Sequence, residues 1–595
     1  MTGKAENIAK ASLTAVFAAS VFCFWRFAHP ESLSLAEEMQ MFLFNGSYAA
    51  ERIMHVGGLC AFIGEFLTQF NTLLWLGAVI MSLLLTSIQA LTWRLAKSAG
   101  ADTLLSYVLT FVPSATLLIM MGDESVLASY AVSIITGLAA SAAYCAASGR
   151  DNGLLRCGSL IIGIPLTFLM AGPGAYVLAT YAIARLWAGG EGRAVKVIKT
   201  VGVAAGVAAI VAVCYRLSAY PLGQMAAGAW VYRKPDVPVW IPLFCVGVAA
   251  WPVIVGKAKV KDLGALNCAG LWLALMTIAA ANAHFNYDDG KYNVMRYDML
   301  TRSHDWRGVV AMAEKHGPRT HLELAMVNMA LAMRGELADR MFEFNQVNSE
   351  GLIPLFNREV MSSMVASDIC FELGMVNSSR RFAFEAQEAI PDHRKSGRLT
   401  KRLAEVAIID GHYALAERYL KQLRQTFAYS DWAQKSLDMI KDDAKVASHP
   451  TYGKLRRRRV SQDFFYSDRE MDQMLGLLFS HDRSNKMALD YLLCLELVTR
   501  DIGSFIRYVP LMGERPGGVS IMPRHYQEAL CMAWAKGHRS FDGMPWPVDQ
   551  RIKQEFGAFA RAISSGGDPE SMISGYMGSS YWRFYAKGGK KKNDR

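Results

Sequence analysis

The sequence predicts an all-α protein in two parts. A polytopic bundle of about nine membrane-spanning helices fills residues 1–284, and a water-soluble domain of paired helices fills 285–595. Three observations predict it. Charge is partitioned: 18 Lys and Arg with 13 Asp and Glu stand before residue 285, and 45 with 39 follow it. Apolar runs long enough to cross a bilayer core, about 20 residues as a helix, recur through the first part. The second part repeats its apolar positions with helical rather than alternating period.

Composition bounds the rest. The chain has 595 residues, 52% hydrophobic and 19% charged, with mean hydropathy +0.16. That excludes a disordered chain and departs from soluble proteins, which are about a quarter charged. Ten cysteines are too sparse for a disulfide scaffold. The net charge of +11 suits either nucleic acid or an anionic membrane until its placement is read.

The expected spans are 9–27, 71–93, 103–121, 126–148, 154–171, 174–189, 197–217, 239–256 and 264–284. Gly172-Pro173-Gly174 suits a tight turn between the fifth and sixth. Basic residues cluster in alternate short loops: Lys4 and Lys10; Arg94 and Lys97; Arg150 and Arg156; Arg185, Arg193, Lys196 and Lys199; then Lys257, Lys259 and Lys261. Positive charge stays on the cytoplasmic side. The expectation is therefore a multi-pass inner (cytoplasmic) membrane protein with a cytoplasmic N-terminus. An odd number of spans delivers 285–595 to the periplasm or an organelle lumen. Most of the positive charge is then a topology signal, and no nucleic-acid partner is expected. The first span carries no convincing small-residue cleavage site and reads as an uncleaved anchor.

The first far-side loop, 28–70, is long. Residues 32–44 and 59–70 read as amphipathic helices on the membrane interface, broken apart by Gly57-Gly58. They bring three acids, Glu37, Glu38 and Glu65; the next far-side loop holds Asp123 and Glu124. Acids at membrane depth cost several kcal/mol unless paired, solvated or metal-bound. One reading leaves them facing water. The other makes these five a catalytic carboxylate cluster, with Asp123 and Glu124 holding Mg²⁺ or Mn²⁺. Glu65, set among apolar residues, has Arg26, Arg52 or Arg216 as an alternative partner. Arg216, Arg233 and Lys234, near the far face, are candidates to grip a phosphate; snorkelling to lipid headgroups is the alternative.

This layout resembles the GT-C class of membrane glycosyltransferases: a cytoplasmic start, a long first far-side loop with two interfacial helices and acids, the second acidic loop Asp123-Glu124, and a large C-terminal domain on the same side. The resemblance implies a far-side carboxylate acting on the acceptor or a metal, and a polyprenyl-phosphate sugar as donor. It is architectural and covers residues 1–284; the second loop reads Asp-Glu where Asp-x-Asp is expected.

In the second part, 398–425 (RLTKRLAEVAIIDGHYALAERYLKQLRQ) is the clearest helix pair, turning at Asp410-Gly411-His412. It resembles a tetratricopeptide repeat, with Gly411 at the turn and Ala416 between helices. Related pairs are expected at 292–316, where Asp305-Trp306 opens the second helix, and at 321–347, 360–390 and 485–512. Such repeats stack into a solenoid whose concave face binds a protein or peptide, or which serves as a support. Residues 57–70 (GGLCAFIGEFLTQF), 485–492 (NKMALDYL) and 523–529 (PRHYQEA) make the whole chain similar to a group of uncharacterised polytopic membrane proteins with helical-repeat tails. The basic run 454–459 (KLRRRR) reads as a solvated loop, or else as a patch meeting lipid headgroups, anionic glycan or an acidic protein face, and the basic tail near 587–595 reads as disordered. Cys370, Cys494 and Cys531 are expected as buried free thiols.

Two functions from different classes follow. One is transfer of a sugar or oligosaccharide from a polyprenyl-phosphate carrier to an acceptor, such as a protein, at the extracytoplasmic face. The other is a non-catalytic, membrane-anchored repeat scaffold for an envelope complex. Both have membrane lipid as a partner.

Overall fold

The computed structural model describes residues 3–148, 153–258, 263–286, 288–391, 394–460, 467, 469–514, 521–565 and 580–593. It is all-helical: among these residues no strand forms, and the extended pairing is confined to an isolated antiparallel bridge, Val126 to Tyr232. The chain divides into two compact units. The first is Met1–Asp289 together with Ile390–Gly397 and Gln422–Asp431. The second is Gly290–Ala389, Arg398–Lys421 and Trp432–Arg595. The boundary thus falls after Asp289 rather than at His284, and two later segments return to the first unit.

Six helices of the first unit are long and apolar enough to cross a membrane: Lys4–Ala28, Leu74–Ser98, Ala128–Ala147, Arg193–Leu217, Trp240–Lys257 and Ala265–Ala283. The expected nine is corrected to six on this measure. All nine apolar runs are helical, but three are short. The 103–121 run splits into Leu104–Leu109 and Val112–Met120. Pro113 lacks an N–H and is best accommodated in a helix's first turn, where it sits here as the chain restarts. Cys157–Ala171 is a shorter apolar helix, and Gly174–Ala188 has 15 residues, about 22 Å of rise against a core of about 30 Å. The turn between them holds Gly172 at φ +55°.

The 28–70 loop departs from expectation. Its helices are Pro30–Glu38, Gly46–Ile53 and Gly58–Thr68, followed by a 3₁₀ turn, Gln69–Thr72. The first is no surface helix: Glu31, Leu33, Leu35, Glu37 and Glu38 are all buried. The stretch after it is not helical. Met41 N donates to Lys395 O (2.8 Å) and Phe44 N to Gln425 O (2.8 Å). Backbone groups without helical partners must find others, and here the two returning segments supply them. Gly57, at φ +73°, starts the Gly58–Thr68 helix, and Gly64 lets that helix touch the Ala128–Ala147 helix: a Cβ there would stand 2.6 Å from Ser129 Cα.

The second unit is built from helix pairs. Val360–Leu373 packs on Val376–Glu388, and Met471–His481 on Lys486–Thr499. Asp305 caps Trp306–His316 by accepting from Gly308 N (2.9 Å). Gly411, at φ +76°, turns the chain between Gly397–Ile409 and Tyr413–Leu423, and Ala416 is fully buried. Leu475, Tyr491, Leu492 and Tyr526 lie in its core, and Cys370, Cys494 and Cys531 are buried free thiols.

Two expectations fail in this unit. The basic run lies in a helix, Tyr452–Arg458, not a solvated loop. Arg456 bonds Asp443 (2.8 Å) and the Ile408 and Ile409 carbonyls, Arg458 lies 3.4 Å from Asp482, and Arg459 lies 2.9 Å from Asp410. Acids from elsewhere in the chain convert a charge run into packing. The tail forms a helix, Tyr581–Asn593, rather than disordered chain; residues 594–595 lie outside the described residues. Trp582 anchors that helix, its Nε1 donating to Glu528 O (2.9 Å).

Candidate functional site

Two charged groups of the first unit meet where four loops converge. The first group is built on Glu65, which is 2% exposed on the Gly58–Thr68 helix. Asn45 caps the preceding Gly46–Ile53 helix, and Tyr48 and Arg52, one turn apart, share a face of it. Tyr48 OH donates to Glu65 Oε2; Arg52 Nε lies 3.5 Å from the same oxygen. The other oxygen, Oε1, lies 3.3 Å from Arg394 Nε. Burial and then the Glu65 carboxylate push the Tyr48 phenol well above its usual range. Burial works against the Arg52 charge, but Glu65, Tyr48 and Glu51 together more than offset it, and its pKa is raised. The Glu65 side chain is thus gripped by two guanidiniums and a phenol.

The second group joins loop 122–125 to loop 219–238. Arg233 N donates to Ser125 O (2.7 Å), Leu127 N to Val231 O (3.1 Å), and Ser129 Oγ to Trp230 O (2.7 Å). Tyr232 OH donates to Asp123 Oδ2 (2.6 Å), and Ser125 N to Asp123 Oδ1 (2.9 Å). Arg394 links the groups, since its Nη2 also reaches Trp230 O (3.4 Å).

Glu124 and Arg233 line one small cavity of about 40 Å³, with Ala36, Gln40, Thr68 and Asn71. Gln40 is 4% exposed, and neither its Nε2 nor Arg233 Nε has a hydrogen-bond partner among the described residues. Unmet buried donors are costly and mark a place for an acceptor. Burial, and next the nearby Arg394, lower the Arg233 guanidinium to about 10, with Glu124 and Asp123 pulling the other way. An anion in this cavity relieves that positive field.

The expected residues divide accordingly. Glu65, Asp123, Glu124 and Arg233 come together. Glu37 and Glu38 are buried in Pro30–Glu38, with Ser34 Oγ donating to Glu38 (3.3 Å), so they do not face water. Arg216 and Lys234 are exposed and stand outside the cluster. Among the described residues no three His, Cys, Asp or Glu side chains are grouped to hold a metal ion. The Mg²⁺ or Mn²⁺ site expected at Asp123 and Glu124 therefore lacks a third ligand there, and Asp123 is bonded to Tyr232 instead.

Sequence reasoning missed two participants, Tyr232 and Arg394. Tyr232 is an aromatic residue of a kind enriched at membrane interfaces, which gives no sign of its bond to Asp123. Arg394 carried no local signal, because the Glu65 and Trp230 groups that its guanidinium reaches are distant in sequence.

No curated protein and no solved structure matches the chain. Residues 5–588 match a family of unknown function, DUF6057, and the chain belongs to that family.

Proposed function

We propose that the first unit is a GT-C-like glycosyltransferase, moving a sugar or oligosaccharide from a polyprenyl-phosphate carrier to an acceptor at the extracytoplasmic face. The observation that carries this reading is Glu124 and Arg233 lining one buried cavity with unmet donors. Glu124 takes the proton of the acceptor hydroxyl as its oxygen bonds the anomeric carbon. The bond from that carbon to the phosphate oxygen breaks, and Arg233 stabilises the phosphate that leaves. Asp123, held by Tyr232, and Glu65, held by Arg52 and Arg394, position the loops. The cavity is too small for a sugar, so donor binding requires the loops to part, as lids do.

The far-side location of this site and of the second unit requires an odd number of crossings. At least one of the three shorter apolar helices must then cross alongside the six long ones. The helix pairs of the second unit, read as tetratricopeptide-like, would present a protein or peptide acceptor. A structural reading rests on one observation, the saturation of Glu65 by three partners. It predicts a scaffold.

Replacing each of Glu37, Glu38, Glu65, Asp123 and Glu124 in turn, with glycan transfer followed in membranes, separates the two. Loss of a general base costs about 10²–10⁴ in rate. Glu124→Gln should lose transfer on that scale while the protein stays folded. If all five folded variants transfer normally, the catalytic reading fails.

A further inference from the structure

The second unit contains a cavity of about 450 Å³ that the transferase reading does not use. Pockets for small organic ligands run from about 300 to 1,000 Å³. Six cationic side chains line it (Arg302, Arg398, Lys401, Arg402, Lys454 and Arg458), against three acids, Asp368, Glu372 and Glu405.

The acids are already engaged or weakened. Asp368 lies 2.6 Å from Arg398 and 2.9 Å from Arg402. Glu405 lies 3.2 Å from Arg402. Asp298 lies 2.8 Å from Arg398, completing a rigid frame. Burial raises the pKa of Glu372, while its charge favours the charged forms of Lys454 and Arg458. The Tyr452–Arg458 helix adds Lys454 and Arg458, one turn apart and so on one face. Partial desolvation and the Arg458 charge lower the pKa of Lys454. Asp482, 3.4 Å from Arg458 Nε and outside the cavity's lining, balances part of that charge, and the two cations still share one wall of the cavity.

Further details of the wall point to a ligand. Thr301 is 3% exposed, and its Oγ1 has no hydrogen-bond partner among the described residues. His304 holds a left-handed backbone at φ +55°, a conformation that non-glycine residues adopt at a cost and that collects at functional sites. Aromatic faces stand beside the charges: Trp306 against His304 at 5.2 Å, and His449 stacked on Tyr452 at 4.2 Å. A wall that mixes aromatic faces with polar groups matches a sugar, which presents C–H faces and hydroxyls together.

We propose that this cavity binds an anionic saccharide of about one sugar unit, its carboxylate or phosphate held by Lys454 and Arg458 and one of its oxygens by the Thr301 hydroxyl. The proposal stands whether or not the first unit transfers sugars.

Calorimetric titration of the purified full-length chain in detergent tests it, with glucuronate, glucose 6-phosphate, glucose and inorganic phosphate as probes. One of the two anionic sugars should bind at least tenfold more tightly than both glucose and inorganic phosphate. Which one it is distinguishes a carboxylate from a phosphate. Lys454→Ala should weaken that binding at least tenfold, Lys454→Arg should restore most of it, and Thr301→Val should weaken it with the Lys454 side chain intact. No anionic-sugar binding at about 10 mM overturns the proposal. So does equal binding of glucose or of inorganic phosphate, or unchanged binding by folded Lys454→Ala.

Discussion

Removing the Glu65 charge should destabilise the first unit more than removing either of its cationic partners. Glu65 and Arg394 are 2% and 4% exposed, with Oε1 and Nε 3.3 Å apart. At an effective dielectric near 20 that separation corresponds to about 5 kcal/mol of gross attraction, much of it spent on desolvation. Glu65→Gln leaves Arg52 and Arg394 facing each other without their anion, and breaking a buried pair in this way costs about 3–5 kcal/mol. Arg394→Gln leaves Glu65 with Arg52 and Tyr48, so the expected loss is smaller, about 2 kcal/mol. The double variant should cost less than the sum, with a coupling of about 2 kcal/mol. Unfolding in mixed micelles, followed by far-UV circular dichroism, measures all three. Losses that add to within about 0.5 kcal/mol would refute the pairing, and an Arg394→Gln loss larger than that of Glu65→Gln would refute the ordering.

Glu496, 4% exposed, has its carboxyl pushed up to about 7 by burial and then by Asp472 and Asp501. It holds a proton more tightly folded than unfolded, so its favourable contribution is complete below about pH 4.5 and is lost as pH rises toward 7. Glu496→Gln should flatten that fall and exceed the wild type at pH 8 by up to about 3 kcal/mol; a parallel pH–stability curve would contradict it. Gly64→Ala forces a Cβ to within 2.6 Å of Ser129 backbone and should cost about 1–3 kcal/mol. Gly476→Ala, in a helix with nothing within 4 Å, should gain about 0.5–1 kcal/mol in the same mixed-micelle unfolding assay.

What the sequence made legible was local. Apolar length predicts helices, and every expected span is helical. Asp305 caps and Gly411 turns where those residue types favour it. Arg52 was among the three partners foreseen for Glu65, because the two sit in one loop. Long-range partners left no such trace. Arg394 reaches Glu65 only after the chain has crossed the unit boundary and returned, and the acids that absorb the 454–459 run come from 410, 443 and 482. Run length also hides interruptions, so the 103–121 window counted as one span although Pro113 restarts its helix. The stretches 485–492 and 523–529 prove to be packing centres. Asn485 is fully buried, capping its helix while donating to Leu373 O (2.8 Å). Glu528 is fully buried between Arg524 (2.7 Å), His525 (2.9 Å) and Tyr581 N (2.8 Å).

The site has chemical use only if its loops face away from the cytosol. Lys234 is exposed beside Arg233 and reports that face directly. With Lys234→Cys in a background whose ten native cysteines are replaced, a membrane-impermeant maleimide should label intact cells. Labelling that appears only after the membrane is permeabilised would put the charged cavity in the cytosol and contradict the account.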